Sequence, residues 1–325
     1  MVKLYNTSHR ASMSLFSLAL RKKKKLRKVH CVGIAGAGMS ALAQLLRAQG
    51  FMVTGSDVSE EFHTSAMLRR LHIPVSPFSQ DNITPDLSAV YYSSAYGKEH
   101  IERMAAVRLR IPTYSYGEAI GTLFSEYDGI LIVGTHGKTT TAALVGHVLA
   151  LLGKDPTVVV GGVVRAWKSN VRVGASRLMV LEGDEYQEKF LYAKPQTLII
   201  TSLDYDHADY FADKDAYADA FRKLTRNVKE GGMLITHPSI VRTLGRAAVS
   251  DTGKFRVLAK EEERESALLR RARPSLLGKH NKENMRLAVR LAFTYGASEE
   301  AVCGALETFG GVMRRMEFYT KQDAR

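Results

Sequence analysis

Short apolar runs along the chain alternate with stretches whose apolar residues recur at helical spacing. Lys28 to Ile34 is a mostly apolar run that reaches a glycine turn, and Met39 to Gln49 follows with leucines at helical spacing. The run predicts a buried strand, and the spacing predicts an amphipathic helix. Two more strands, Phe51 to Thr54 and Ala89 to Tyr92, precede a short predicted helix over Gly117 to Phe124. This order predicts a βαβ series around a parallel sheet.

The pattern restarts after Tyr127-Asp128-Gly129, which places a domain boundary near residue 126. The second region alternates strands and helices: strand Ile130 to Val133, helix Thr139 to Leu152, strands Thr157 to Val160, Leu178 to Leu181 and Thr197 to Thr201, helix Ala216 to Asn227, and strand Met233 to Thr236. We expect a second, mainly parallel sheet covered by helices. Residues 251–273 are charged without an apolar period, which indicates an edge or loosely packed region. Asn281 to Tyr295 and Glu299 to Phe309 are predicted to be a packed helix pair.

Composition adds a basic N-terminal segment to this picture. The 325 residues suit about two domains, and 45% hydrophobic with 24% charged residues is ordinary for globular proteins. The formal net charge is +13, but residues 1–28 hold nine Lys or Arg and no acid, which leaves 37 basic and 33 acidic residues elsewhere. We therefore expect a solvated basic extension, with no stable nucleic-acid partner. Its apolar stretch, Met13 to Leu20, is too short to span a membrane and precedes the charges, so we expect a cytoplasmic protein.

The clearest chemistry lies in the loop Gly134-Thr135-His136-Gly137-Lys138-Thr139-Thr140, between a predicted strand and a predicted helix. Glycines let backbone N–H groups point at phosphate oxygens, and the following helix presents its positive N-terminus. Lys138 is expected to lie at the β and γ phosphates, and the Thr139 hydroxyl to bind Mg²⁺. The usual phosphate loop has four residues between its glycines, whereas only Thr135 and His136 intervene here. Strand, glycines, Lys-Thr and helix together still predict that the chain binds ATP and Mg²⁺.

Two acidic segments follow predicted strands of the same sheet. They are Leu181-Glu182-Gly183-Asp184-Glu185 and Ser202-Leu203-Asp204-Tyr205-Asp206-His207. Each segment alone is typical of a solvated loop. However, Mg²⁺ prefers hard oxygen ligands, and the carboxyl ends of neighbouring parallel strands meet at one edge of a sheet. Together with the phosphate loop, the two segments predict a metal–nucleotide site.

A second glycine motif lies near the N-terminus. Gly33-Ile34-Ala35-Gly36-Ala37-Gly38 is followed, after the next predicted strand, by Asp57. A tight turn, amides for a pyrophosphate and a carboxylate for a ribose are the parts of a Rossmann-like fold that binds a dinucleotide or a nucleotide sugar. Ala35 stands where glycine is usual, and this motif alone leaves a nicotinamide cofactor open.

In these motifs the chain resembles the Mur ligase family, from about His30 to Glu317. The matching segments, in order, are GIAGAGMSALA, GSD, GTHGKTTTAA, LEGDEY, SLDYDHADYF, GKHNKEN and GGVMRRMEF. The short phosphate loop is the normal form in that family. The resemblance implies an ATP-dependent ligase of peptidoglycan precursor synthesis, which joins L-alanine to the carboxylate of UDP-N-acetylmuramate through an acyl phosphate. The short connection Phe190-Leu191-Tyr192 favours this branch; the alternative is the branch that recycles a tripeptide onto UDP-N-acetylmuramate.

The resemblance also implies roles for individual residues. Lys138 and Thr139 would hold the ATP phosphates and a first Mg²⁺, while Glu182 and His207 would bind a second Mg²⁺. The remaining nucleotide-binding residues would be Gly134, Thr135, His136, Gly137 and Thr140 in the loop, His280, Asn281 and Asn284 at the adenine, and Arg315 at the phosphates. The UDP-sugar would be bound by Gly36, Gly38, Met39, Ser40 and Asp57.

The implied domain organisation has four parts. They are a basic extension 1–28, a Rossmann-like UDP-sugar domain 29–126, a central ATP-binding domain 127–315 of the P-loop ATPase type with a mainly parallel sheet, and the start of a third domain, 316–325. Family members carry that third domain, whereas this chain reaches Arg325 soon after Glu317. We therefore expect either a fragment or a natural short form that binds nucleotides without completing ligation.

Overall fold

Two sheets, formed by consecutive parts of the chain, set the framework of the protein. The structure is a computed structural model that describes residues 27–62, 64–245, 249, 255–258, 263–272, 276 and 278–313. The basic segment before residue 27 and the expected phosphate-binding Arg315 lie outside the described residues. Both sheets carry helices in their crossovers, which confirms the α/β class.

The first sheet has five parallel strands in the order β3-β2-β1-β4-β5. The strands are β1 Lys28–Val32, β2 Met52–Ser56, β3 Val75–Ser76, β4 Leu87–Tyr92 and β5 Thr113–Ser115. The helices of this part are α1 Ala37–Ala48, α2 Ser65–Arg70, α3 Ile101–Arg108 and α4 Tyr116–Ser125, with a 3₁₀ turn at Gln80–Asn82. The strand order reverses between β1 and β4, which confirms the Rossmann-like arrangement and puts the glycine turn after β1 at the switch point.

The second sheet has seven strands in the order β12-β11-β10-β6-β9-β7-β8. The strands are β6 Asp128–Val133, β7 Thr157–Val164, β8 Ser169–Arg172, β9 Leu178–Glu182, β10 Thr197–Ile200, β11 Gly232–Ile235 and β12 Phe255–Leu258. The helices are α5 Lys138–Leu151, α6 Lys214–Arg226, α7 Pro238–Leu244, α8 Glu263–Arg271, α9 Lys279–Thr294 and α10 Glu299–Thr308, with 3₁₀ turns at Tyr186–Tyr192. Only β8 pairs antiparallel, so the sheet is mainly parallel, as predicted. Of the helices in the described ranges, none has the length and apolar character needed to cross a membrane.

The central strand β6 shows why the inner strands of this sheet are continuous apolar runs in the sequence. Ile130 and Ile132 face the core formed with α5, α9 and α10, and Leu131 and Val133 face the core formed with α4 and α6. Successive side chains of a strand point to opposite faces, and here both faces are covered by helices. Both sets of side chains are therefore buried, and the strand has no alternation of polar and apolar residues.

Two described parts of the charged segment 251–273, residues 255–258 and 263–271, form regular elements. Its strand β12 is an edge strand, as expected, but helix α8 was not predicted. The helix is anchored by Glu265, whose two carboxylate oxygens accept hydrogen bonds from Arg290 Nε at 2.7 Å and Nη2 at 2.6 Å. Arg290 Nη1 also donates to the carbonyl oxygens of Thr236 and Leu258. Helix α8 is therefore held mainly by a buried ion pair, together with the buried side chain of Leu268. Because a charged residue takes the place of apolar ones, the helix shows no apolar period in the sequence.

Several short elements also escaped prediction because each presents few apolar positions. They are β3, β5, β8, α2, α3, α7 and the two 3₁₀ segments. The predicted helix pair, α9 and α10, is present, and both helices pack on α5 as well as on each other.

A buried polar bridge joins the two parts of the chain. Gln44 on α1 donates to Asn170 Oδ1 at 2.9 Å and accepts from Ser169 Oγ at 3.0 Å. Asn170 Nδ2 donates to the carbonyl oxygen of Ala37 at 2.8 Å. All three side chains belong to residues no more than 8% exposed. The β7–β8 hairpin therefore holds the helix that follows the first glycine turn.

Disrupting this bridge is expected to destabilise the protein and uncouple its two parts. Asn170→Ala removes two hydrogen bonds and leaves buried partners unpaired, which should cost about 1–3 kcal/mol of unfolding free energy. Gln44→Ala combined with Asn170→Ala should show a coupling energy of about 0.5–3 kcal/mol in urea denaturation. The control is Asn227→Ala, which removes a hydrogen bond to the Leu191 carbonyl. When it is combined with Gln44→Ala, the losses of unfolding free energy should add, without a coupling energy. Additive effects of Gln44→Ala and Asn170→Ala would contradict the bridge.

Candidate active site

The phosphate loop connects β6 to α5 and depends on two glycines. Gly134 has φ 133° and Gly137 has φ 80°, conformations that side chains beyond glycine rarely adopt. A Cβ atom at Gly134 would overlap the Thr201 hydroxyl, and one at Gly137 would overlap the Asn284 amide. Both positions therefore need glycine for conformation and for space.

The loop following β10 braces the phosphate loop. The Thr135 hydroxyl donates to the carbonyl oxygen of Asp204 and lies 2.9 Å from the Tyr217 hydroxyl. The His136 amide donates to Ser202 Oγ at 2.8 Å. Burial raises the pKa of Tyr217, so its hydroxyl stays protonated within this network. The phosphate loop is thus held by side chains more than 60 residues further along the chain.

Lys138 is folded back over the loop and paired with a buried carboxylate. Its Nζ donates to the carbonyl oxygens of Gly134 at 2.6 Å and Thr135 at 3.2 Å, and to Glu185 Oε1 at 2.7 Å. Its side chain is 19% exposed, whereas that of Glu185 is 3% exposed. The predicted phosphate-binding charge is therefore at the loop, beside a carboxylate of the acidic segment that the sequence predicted to lie at this site.

Thr139 and Glu182 form a pair of hard oxygen donors at the edge of the sheet. The Thr139 hydroxyl donates to Glu182 Oε1 at 2.7 Å, and Glu182 Oε2 accepts from the Gly161 amide at 2.5 Å. Nowhere in the described ranges do three His, Cys, Asp or Glu side chains converge as a complete metal site. Mg²⁺ usually takes one or two carboxylates and completes its shell with waters and phosphates, so this pair fits it.

His207 lies beside Glu185. Its Nε2 is 3.6 Å from Glu185 Oε1, and its ring centroid is 5.0 Å from that of Tyr186. Its φ is 57°, and its own amide donates to Asp206 Oδ1 at 2.7 Å. A left-handed conformation in a non-glycine residue costs about 1–3 kcal/mol and is concentrated at functional sites. The structure thus brings both members of the predicted Glu182–His207 pair to the loop, each beside a different partner.

A cavity of about 550 Å³ opens beside the loop on the side of α9. Its lining includes these predicted nucleotide-binding residues: His136, Gly137, Thr140, His280, Asn281 and Asn284. It also includes His237 and Arg242 at α7 and Glu283 on α9, which the sequence reasoning missed. His237 lies two residues after the end of β11, so the rule that sites collect at carboxyl ends of parallel strands could have indicated it.

The first glycine turn presents backbone rather than side chains at the start of α1. Gly36 is the residue before α1, and no side chain caps the helix there. Met39 and Ser40 are buried, and the Ser40 hydroxyl donates to the carbonyl oxygen of Ala37. A Cβ atom at Gly38 would crowd the Tyr116 ring. Backbone N–H groups at the start of a 12-residue helix are a suitable site for an anion.

Asp57 braces this turn. Its Oδ2 accepts from the Ala35 amide at 2.7 Å, and its Oδ1 accepts from the Val58 amide at 2.9 Å and the Tyr96 hydroxyl at 3.2 Å. The residue also lines a cavity of about 310 Å³ beside α2. Both carboxylate oxygens of Asp57 therefore hold the turn in shape next to a surface cavity.

A second large cavity, of about 520 Å³, lies between the two parts of the chain. Its walls come from the α2 region and from the β7–β8 hairpin: Thr64, Ala66, Met67, Arg70, Gly161, Gly162, Val163, Lys168, Ser169, Asn170 and Met313. Because the Gly161 amide bonds Glu182, the cavity reaches the Thr139–Glu182 pair. Arg70 and Lys168 add positive charge, and the sequence reasoning identified neither.

Comparison with protein families matches both parts of the chain. Residues 28–128 match the Mur ligase family, catalytic domain, and residues 132–292 match the Mur ligase middle domain. The first match ends at the first residue of β6, and the second begins within that strand, where the second sheet starts.

Several curated proteins are similar over most of the chain. A UDP-N-acetylmuramate--L-alanine ligase from Desulfitobacterium hafniense is 37% identical over 309 residues, 89% of this chain and 68% of that protein. An enzyme of the same name from a Bradyrhizobium strain is 33% identical, over 91% of this chain and 69% of that protein. The chain thus spans about two thirds of the length of these relatives.

Solved structures show the same fold. The UDP-N-acetylmuramate-alanine ligase of Thermotoga maritima superposes with a TM-score of 0.74 at 28% identity, over 91% of this chain and 72% of that one. The UDP-N-acetylmuramate:L-alanyl-gamma-D-glutamyl-meso-diaminopimelate ligase of Neisseria meningitides reaches 0.77 at 24% identity, over 89% of this chain and all of that one, and shows the fold alone. On the sequence and family matches together, the chain belongs to the Mur ligase family of ATP-dependent ligases.

Proposed function

We propose that this chain works as an ATP- and Mg²⁺-dependent ligase that joins L-alanine to the carboxylate of UDP-N-acetylmuramate in peptidoglycan precursor synthesis. One observation carries the proposal: the Thr139–Glu182 pair beside the phosphate loop borders, through Gly161, the cavity between the two parts of the chain. A carboxylate in that cavity would lie next to the phosphates of a nucleotide on the loop. The names of the most similar relatives favour alanine over a tripeptide as the amine.

The second part of the chain would bind the nucleotide. The loop amides and Lys138 would hold the phosphates, Thr139 and Glu182 would hold Mg²⁺, and Asn281 and Asn284 would meet the adenine with His280 beside it. Phosphoryl transfer is catalysed mainly by positioning and by neutralising charge on the phosphate oxygens, which Mg²⁺ supplies when bound. The chain would need no covalent nucleophile. The substrate carboxylate would attack the γ phosphate, with ADP as the leaving group, and the amine would then displace phosphate from the acyl phosphate and lose a proton to solvent.

The first part of the chain would bind the UDP-sugar. The start of α1, with Gly36, Gly38, Met39 and Ser40, would place the N-terminus of the helix at the pyrophosphate, and Asp57 would keep the turn in shape for it. Within this proposal, residues 29–126 are the UDP-sugar domain and residues 127–315 are the ATP domain. The bridge of Gln44 and Asn170 would set the distance between the two substrates.

Activity tests the proposal directly. We expect phosphate release from ATP when UDP-N-acetylmuramate and L-alanine are both present with Mg²⁺. Less or no release is expected when L-alanine is replaced by L-alanyl-γ-D-glutamyl-diaminopimelate, because the relatives named for alanine cover most of the chain. Release with the tripeptide and none with L-alanine would assign the recycling reaction instead. Calorimetric binding of both nucleotides without release under either condition would show that the chain binds its substrates without joining them.

Lys138→Ala is expected to weaken binding of ATP about 10- to 100-fold, because hydrogen bonds to charged groups contribute about 1.5–3 kcal/mol each. The measurement is calorimetric titration with a β,γ-methylene analogue of ATP in the presence of Mg²⁺. Lys154→Ala, beyond the far end of α5, is the matched control and should bind like the parent chain. Unchanged nucleotide affinity in Lys138→Ala would refute the assignment of the phosphate loop.

A further inference from the structure

Glu185 is the buried carboxylate of the site that the proposed ligand set leaves without a role. The residue is 2% exposed. Its Oε1 lies 2.7 Å from Lys138 Nζ and 3.6 Å from His207 Nε2. Its Oε2 is buried, and no hydrogen-bond partner for that atom is present among the residues that the structure describes. Buried polar atoms are nearly always paired, so the unpaired Oε2 of a carboxylate whose other oxygen faces a lysine and a histidine indicates a further binding partner.

Glu182 is engaged differently, although it stands only three residues earlier. One of its oxygens accepts from the Thr139 hydroxyl and the other from the Gly161 amide. Both contacts hold it at the start of α5 and at β7, on the side of the inter-domain cavity. His207 is therefore adjacent to the carboxylate that has an oxygen to spare.

Lys138 cannot serve Glu185 and a nucleotide at once. An ammonium group has three N–H donors, and those of Lys138 go to two loop carbonyls and to Glu185. If phosphates draw the ammonium away, Glu185 becomes a buried carboxylate without its cation, which is strongly unfavourable. A divalent cation arriving between Glu185 and His207 would restore the balance of charge.

We propose that Glu185 exchanges cations: it holds Lys138 beside the loop and, when Lys138 moves to the phosphates, binds a divalent cation together with His207. The inference rests on the proposed ATP- and Mg²⁺-dependent function and adds a specific ligand to it. It makes one side chain responsible for much of the energetic coupling between nucleotide and metal. Such coupling is reciprocal, so each ligand raises the affinity for the other by the same factor.

The test compares binding of the β,γ-methylene analogue of ATP in excess Mg²⁺ and in EDTA, for the parent chain and for Glu185→Gln. The amide keeps the shape of the side chain but removes its charge, which releases Lys138. We expect Glu185→Gln to bind the analogue more tightly than the parent chain in EDTA. The ratio of Kd without metal to Kd with metal should fall at least about fivefold, the lower end of typical coupling. Titration with Mn²⁺ followed by electron paramagnetic resonance should show one fewer bound ion per chain in the presence of the analogue.

The matched control is Glu188→Gln, in the same segment, where Glu188 Oε1 accepts from Lys223 Nζ at 2.8 Å away from the loop. Its two Kd values and its Mn²⁺ count should equal those of the parent chain. Glu182→Gln should lose metal-dependent affinity without gaining affinity in EDTA, since its oxygens do not hold Lys138. The affinity for the analogue in EDTA therefore distinguishes the two carboxylates: it should rise in Glu185→Gln and should not rise in Glu182→Gln.

A second variant reaches the same site without altering Glu185. His207→Asn suits the left-handed backbone of that position, because asparagine adopts it more readily than most residues. It should lose one bound Mn²⁺ and keep the parent affinity for the analogue in EDTA. Weaker analogue binding by Glu185→Gln in both conditions, or an unchanged Mn²⁺ count in His207→Asn, would overturn the exchange role. A parent chain that binds no analogue even with Mg²⁺ would instead overturn the proposed function.

Discussion

The parallel register of β6, β9 and β10 is the constraint on which the site depends. Ile132 pairs with Glu182, and Val133 pairs with Ile200, so the three strands end at one edge of the sheet. The phosphate loop, the Glu182–Glu185 segment and the segment up to His207 therefore emerge side by side. Charged groups that would be solvated in separate loops become partners here, in a setting of low exposure where their interactions are stronger than in water. Pairing any of these strands antiparallel would send its loop to the opposite edge.

The β7–β8 hairpin links this edge to the first part of the chain. The Gly161 amide on β7 holds Glu182, while Asn170 on β8 holds the carbonyl oxygen of Ala37 at the start of α1. A short antiparallel hairpin thus contacts both the Thr139–Glu182 pair, which is proposed to bind metal, and the helix proposed to bind the pyrophosphate. Both contacts are hydrogen bonds, and because hydrogen bonds have a preferred distance and angle they fix the positions of Glu182 and α1 more narrowly than apolar packing alone. The cavity between the two parts has this hairpin as one wall.

Two buried ion pairs in the molecule have different characters. In the Arg290–Glu265 pair both carboxylate oxygens accept hydrogen bonds, and Arg290 Nη1 donates to two backbone carbonyls, so no carboxylate oxygen is left over and the pair anchors a helix. Lys138 and Glu185 leave one carboxylate oxygen without a partner, and the lysine is a flexible point charge that can be redirected. A complete pair stabilises one arrangement of the protein. An incomplete pair costs free energy unless another cation joins it, which makes it suited to a site where cations arrive.

The sequence by itself determined the elements and the chemical classes of the site. Apolar period and glycine position are local properties, and they predicted both sheets, most helices, the phosphate loop and the acidic segments at the strand ends. Only the tertiary structure decided which partner each carboxylate meets: Glu182 meets the Thr139 hydroxyl, whereas Glu185 meets Lys138 and His207. It also decided the bridge between Gln44 and Asn170, the helix held by Arg290, and the lining of the cavity beside the phosphate loop by His237 and Arg242. These contacts join side chains distant in the sequence, and their partners depend on distances of a few ångströms that no local pattern of residues encodes.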